Sequence, residues 1–402
     1  MKILHIITSA NPKNGGPIQG IRNYESALHL LGVQRSLLSF DSPEAILDWN
    51  FPSTLKVIGL GQSKTGWQYN KLLMPWLENN IANYDRVVLN GMWTYHTYAT
   101  LKAIKKLKNY NSSLSIPKVF LMPHGMLDPW FQKDETRRIK AVRNYFYWYF
   151  IEKQVINNVD GLLFTCKEEL LLARTTFSGY KPKQELNIGY GIVEPPVCSK
   201  DLLEGFYNQF YISRDQPYLL FLSRIHPKKG IDLLLKAYHQ KLTEMELADD
   251  LPHLIIAGPG IETDYGKQLL RYLAENPILQ NRIQFVGHLS GDIKWGAIYG
   301  CDAFILPSHQ ENFGIAVAEA LACSKPVLIT TKVNIYREIE IGGGGIVNED
   351  TLEGTYKNIA QWISLTDEEK ELMCRNAQSV YKKYFNIENA AKKYFKVMTA
   401  SK

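Results

Sequence analysis

Short apolar runs, each followed by a stretch of helical spacing, recur along the whole chain. Seven come first: KILHIIT, QRSLLSF, LKVIGL, DRVVLNG, KVFLMPHG, GLLFTC and LNIGYGI. The pattern breaks at Val193-Glu194-Pro195-Pro196, where the prolines disfavour continued regular structure. Six more follow: YLLFLSRI, HLIIAGPG, IQFVGHL, CDAFILPS, KPVLITT and GGIVNED. Runs that are apolar throughout, alternating with helices, describe parallel strands buried on both faces. The pattern therefore predicts an α/β chain of two doubly wound parallel sheets. A length of 402 residues also exceeds what one core usually serves. The expected domains are 1–193 and 194–380, with 381–402 as a helix that returns to pack on the first domain.

In open sheets of this kind, ligands bind at the carboxyl ends of the strands. The conspicuous motifs all follow predicted strands, so two such sheets facing each other would gather them at a cleft. Net charge is +6, a mild excess that suits anionic ligands or an anionic membrane surface but not a dedicated nucleic-acid binder. Five scattered cysteines without a C-x-x-C pair read as reduced, mostly buried thiols of a cytosolic protein. The start, MKILHIITSA, reads as a first strand, and no apolar run approaches the ~20 residues of a membrane span.

Three motifs carry chemistry. In FLSRIHPKKG, Arg224 and Lys229 follow a strand and precede a helix. A guanidinium fork and an ammonium there suit a diphosphate, although basic loops are often only solvated. In HQENFGIAVAEA, Glu311 and Glu319 flank Gly314, which should open a helix ending near Cys323. The N–H groups of such a helix start suit phosphate oxygens, and Gly314 permits close approach. A capped, solvent-facing helix would show the same spacing. In MPHGMLDPW, His124 ends a strong strand, and Asp128 is either an acceptor-side base or a turn residue. The loop NPKNGGPIQG sets Gly15 and Gly16 before another helix.

The joint pattern S-R-x-x-x-x-K-G and, about eighty residues on, E-x(7)-E with an F-G pair resembles the retaining GT4 glycosyltransferases, group 1. The matching residues are Ser223, Arg224, Lys229, Gly230, Glu311, Phe313, Gly314 and Glu319. The resemblance implies the GT-B fold, two Rossmann-like domains facing across a cleft, and transfer of a hexose, glucose foremost, from a UDP-sugar. It implies that Arg224 and Lys229 hold the diphosphate without a metal, that Glu311 meets the transferred sugar, and that Glu319 binds the ribose. Asn312, Phe313, Gly314 and Ile315 would supply backbone contacts. Ser223, Gly258 and His288 would lie on the donor, Gly15 and Gly16 would form the flexible phosphate- and acceptor-side loop, and His124 would touch the sugar. No cofactor is implied beyond the donor. The acceptor would be a polysaccharide or lipid-linked oligosaccharide. A sugar-nucleotide epimerase and a non-catalytic nucleotide-sugar-binding regulator are the alternatives.

One stretch stands apart. RRIKAVRNYFYWYFIEK sets Arg137, Arg138, Lys140 and Arg143 before six consecutive aromatics, Tyr145 to Phe150. Aromatics all round a helix indicate burial on several sides, and that reading is preferred here. The basic first turn would remain free to touch the inner face of a membrane, so the expected location is cytoplasmic, with peripheral contact left open.

Overall fold

A computed structural model describes residues 1–63, 65–110, 116–245 and 251–400. The chain forms two compact units. The first holds the chain to Gly191 and again from Ile387, and the second spans Ile192–Asn386.

The first sheet contains β1 (Lys2–Ile6), β2 (Gln34–Ser39), β3 (Leu55–Gly59), β4 (Arg86–Asn90), β5 (Lys118–Met122), β6 (Gly161–Phe164) and β7 (Glu185–Asn187). All pair in parallel, in the order β3-β2-β1-β4-β5-β6-β7. Strand residues alternate between the two faces, and both faces are covered. Leu4, Val87, Leu121 and Leu162 join one apolar cluster, whereas Ile3, Val88, Phe120 and Leu163 join another. Each such side chain contributes roughly 1.5–3 kcal/mol when fully buried. The second cluster is completed by Ala390, Ala391, Tyr394 and Met398 of the helix Ile387–Ala400. Tyr381–Phe385, just before it, is a π-helical turn of the second unit.

The second sheet contains β8 (Tyr218–Leu222), β9 (His253–Ala257), β10 (Ile283–Gly287), β11 (Ala303–Leu306), β12 (Val327–Thr330) and β13 (Gly345–Asn348). Its order is β10-β9-β8-β11-β12-β13, again parallel throughout. In each sheet the winding reverses once, between β1 and β4 and between β8 and β11. That is where a doubly wound sheet opens its ligand crevice.

The aromatic stretch corrects the sequence reading. Its residues form the helix Arg138–Tyr147, a π-helical turn Trp148–Glu152 and the helix Lys153–Asn158. Ala141, Asn144, Trp148 and Glu152 face inward, at spacings of three and four. Tyr145, Phe146, Tyr149 and Phe150 lie outward, each more than half exposed, with Ile139 and Val142 beside them. Small and polar residues fill the buried face, so most of the aromatics are left outside. The expected core role holds for Trp148, not for these four. Among the described residues, no helix is long and apolar enough to cross a membrane.

Candidate functional site

In the second unit the site is built at the carboxyl ends of β8 to β11. Main-chain hydrogen bonds lace the four loops together. Ser223 N–H donates to Ala257 O at 3.0 Å, Ile225 N–H to Pro259 O at 2.8 Å, and Gly258 N–H to Gly287 O at 2.7 Å. His309 N–H reaches Lys228 O at 2.9 Å. Glycine is required at two of these crossings. A Cβ on Gly258 (φ +147°) would overlap the Ser223 carbonyl, and one on Gly230 (φ +67°) would overlap that of Pro307.

This frame fixes Lys229, which ends a short 3-10 turn and is only 6% exposed. Burial, with the Lys228 and Arg224 cations beside it, pushes its ammonium down to about 7. Its Nζ contacts the Glu311 carboxylate, and that contact acts against the shift by favouring the charged form. Glu311 is itself pinned: its N–H donates to Lys332 O at 2.9 Å and its carbonyl accepts from Asn334 N–H at 3.0 Å. Arg224 is exposed, and its guanidinium makes no hydrogen bond among the described residues. A buried cation, a free guanidinium and a carboxylate thus share one end of the sheet.

Gly314 (φ +79°) begins the helix Ile315–Ala322. Val317, Ala318, Leu321 and Ala322 are buried, whereas Ile315 and Glu319, four positions apart, share the more open face. Glu319 Oε1 accepts from Lys294 Nζ at 2.8 Å, leaving its second oxygen for another partner. Lys294 was not singled out in the sequence. It lies on the helix Gly291–Gly300, which follows β10, with its ammonium 3.9 Å from the Trp295 ring centroid. Phe313 is buried edge-on against Phe385, and Asn312 is half-buried beside it. His288 lies exposed after β10.

The first unit carries the other predicted residues. Gly15 (φ +82°) and Gly16 open the helix Gly16–Leu30 after β1, with open space around both. His124 follows β5 in a left-handed backbone, φ +53°, as does Gly125, φ +80°. Histidine enters that region more readily than most side chains, though at a cost. Its ring Nε2 lies 3.1 Å from Asn90 Oδ1. Burial pushes the imidazole down to about 4. Glu169, also missed in the sequence, is a buried carboxylate that accepts from Gly125 N–H at 2.6 Å and from both the N–H and the hydroxyl of Thr165. Asp128 Oδ1 accepts from Trp130 N–H at 2.8 Å, as a turn residue does.

Residues 207–380 match the family described as glycosyl transferases group 1. The second unit belongs to that family. Among curated relatives, an uncharacterized glycosyltransferase of Methanocaldococcus jannaschii is 28% identical over 194 residues, covering 47% of this chain and 46% of its own. A D-inositol 3-phosphate glycosyltransferase of Geodermatophilus obscurus is 29% identical over 202 residues, 49% and 44% of the two chains. The chain thus spans about half the length of the curated relatives it matches. A glycosyltransferase from Rickettsia africae superposes with a TM-score of 0.73 at 18% identity, over 100% of this chain and 98% of that one. Anabaena HepE, in complex with UDP and glucose, gives 0.71 at 17% over all of both chains. The chain therefore has the two-domain Rossmann-like GT-B fold.

Proposed function

We propose that the chain is a retaining hexosyltransferase that moves glucose from UDP-glucose to a sugar hydroxyl of a polysaccharide or lipid-linked oligosaccharide. The observation that carries this reading is the buried Lys229, near Arg224 and against Glu311, which itself lies at the Gly314 helix start. Such a group of fixed positive charges suits a leaving diphosphate. The uridine nucleotide and glucose take their support from HepE, whose structure is a complex with UDP and glucose. The bond from the anomeric carbon to the diphosphate breaks, and the acceptor oxygen bonds to the same face of that carbon. The acceptor proton passes to the departing phosphate oxygen, whose charge Arg224 and Lys229 offset. Glu311 and His124 would contact the sugar and Glu319 the ribose. Protein cations take the place of a metal in this scheme. UDP release from UDP-glucose should therefore depend on a saccharide acceptor and persist in EDTA. Release without acceptor, or a reversible loss on chelation, would overturn the scheme. Conversion of donor to an isomeric sugar nucleotide would mark an epimerase, and tight binding without turnover a regulator.

The reading extends to a peripheral contact with an anionic membrane. Ile139, Val142, Phe146, Tyr149 and Phe150 make an apolar face along the helix Arg138–Tyr147 and the π-helical turn after it, with Arg138, Lys140 and Arg143 exposed among them. Beside it runs a groove of about 580 Å³ whose charged lining residues are Lys102, Lys105, Lys108 and Lys183. Aromatic side chains beside lysines suit the lipid headgroup layer. Each basic residue near such a surface adds about 1 kcal/mol. Vesicles containing phosphatidylserine should sediment the chain, and part of that binding should survive 1 M salt. Charge is then screened within ~3 Å, but inserted rings remain. Binding lost entirely in high salt would show that the rings do not insert. No binding at low salt would remove the membrane contact.

A further inference from the structure

Asn90 closes β4 and is buried, and its amide can be oriented from its neighbours. Nδ2 lies 3.1 Å from Val88 O and 3.4 Å from Ile6 O. An amide oxygen in that place would face two acceptors, so the nitrogen belongs there and Oδ1 is the atom turned to His124. One neighbour argues the other way. Arg35, which only donates, lies 3.3 Å and 3.2 Å from His5 Nε2, so the neutral His5 ring carries its proton on Nδ1, facing Asn90. That contact is 3.4 Å, at the outer edge of a hydrogen bond, and it is outweighed by the shorter one to Val88.

With Oδ1 toward His124 at 3.1 Å, the ring nitrogen opposite must donate, because an amide oxygen only accepts. We propose that Asn90 is a positioning residue that locks His124 in its Nε2–H tautomer, so that Nδ1 accepts a hydrogen bond from a sugar hydroxyl. This deepens the transferase reading, which assigns His124 a sugar contact, and it rests on that reading only for the hydroxyl. His124 Nδ1 makes no hydrogen bond among the described residues. His124 is half-buried rather than sealed in the core. The neutral ring has a single N–H, and fixing it on one nitrogen fixes the acceptor on the other. The backbone is held too. Glu169 clamps the Gly125 N–H at 2.6 Å, immediately after the left-handed His124. Asn90 sets the ring and Glu169 sets the chain that carries it, so neither needs to touch the sugar.

The test begins with the full chain alone, labelled with ¹⁵N-histidine. Two-bond proton–nitrogen correlation near neutral pH reports which ring nitrogen is protonated, and His124→Gln assigns the signal. The expected result is a protonated Nε2 and a bare Nδ1. An Nδ1–H tautomer, or averaging between the two, would overturn the proposal without any variant needing to fold. In Asn90→Leu the tautomer should no longer be fixed. Transfer from UDP-glucose should fall about ten- to a hundredfold in kcat, with UDP affinity by calorimetry unchanged. Wild-type turnover in Asn90→Leu would overturn the positioning role. A wild-type chain with the expected spectrum but no transfer would count against the transferase reading, not the tautomer lock.

Discussion

Arg224→Ala and Lys229→Ala should each lower transfer from UDP-glucose by about a hundred- to a thousandfold, the cost of removing one fixed donor from a developing oxyanion. The two variants should differ in stability. Arg224 is exposed and bonds to nothing in the described structure, so its loss should leave thermal unfolding unchanged. Lys229 is buried against Glu311, so its loss strands a carboxylate and should lower the unfolding temperature. Rates of UDP release and melting curves for both variants provide the check. Near wild-type rates in both would remove the diphosphate from this end of the sheet.

The strands were legible because parallel strands covered on both faces leave short apolar runs bounded by turn residues and spaced by helices. VVL in β4 and FIL in β11 needed no tertiary knowledge. The positions of Arg224, Lys229, Glu311 and Glu319 were legible as well, since strand ends are where such sheets place polar function. Their partners were not. Lys229 and Glu311 are 82 residues apart and meet only because β8 and β11 are neighbours, a consequence of winding order that the local sequence does not carry. Lys294 reaches Glu319, and Asn90 reaches His124, for the same kind of reason. The aromatic run failed differently. Tyr145 to Phe150 is apolar all round, which signals burial, but the buried face was taken by Ala141, Asn144 and Glu152. Which face of a helix turns inward depends on the surface it meets.

Those pairings also sharpen what should separate the two glutamates. Glu319→Ala should weaken UDP binding by roughly ten- to a hundredfold, the range for losing a hydrogen bond to a charged acceptor. Its ribose contact would use the oxygen that Lys294 leaves free. Glu311→Ala should leave UDP affinity within a few-fold near pH 6 yet depress transfer, because the sugar and not the nucleotide loses a partner. The variant also removes the counter-charge that keeps Lys229 protonated. Burial and the adjacent cations, which already push that ammonium down to about 7 in the intact chain, then act unopposed and lower it further. Lys229 should therefore lose its charge at a lower pH in Glu311→Ala than in wild type, and UDP affinity of the variant should fall relative to wild type as pH rises from 6 to 8. Calorimetry with UDP at both pH values reads the two effects together. Lost UDP affinity at pH 6 in Glu311→Ala but not in Glu319→Ala would reverse the assignment. Parallel pH profiles for wild type and Glu311→Ala would show that the carboxylate does not hold the charge on Lys229.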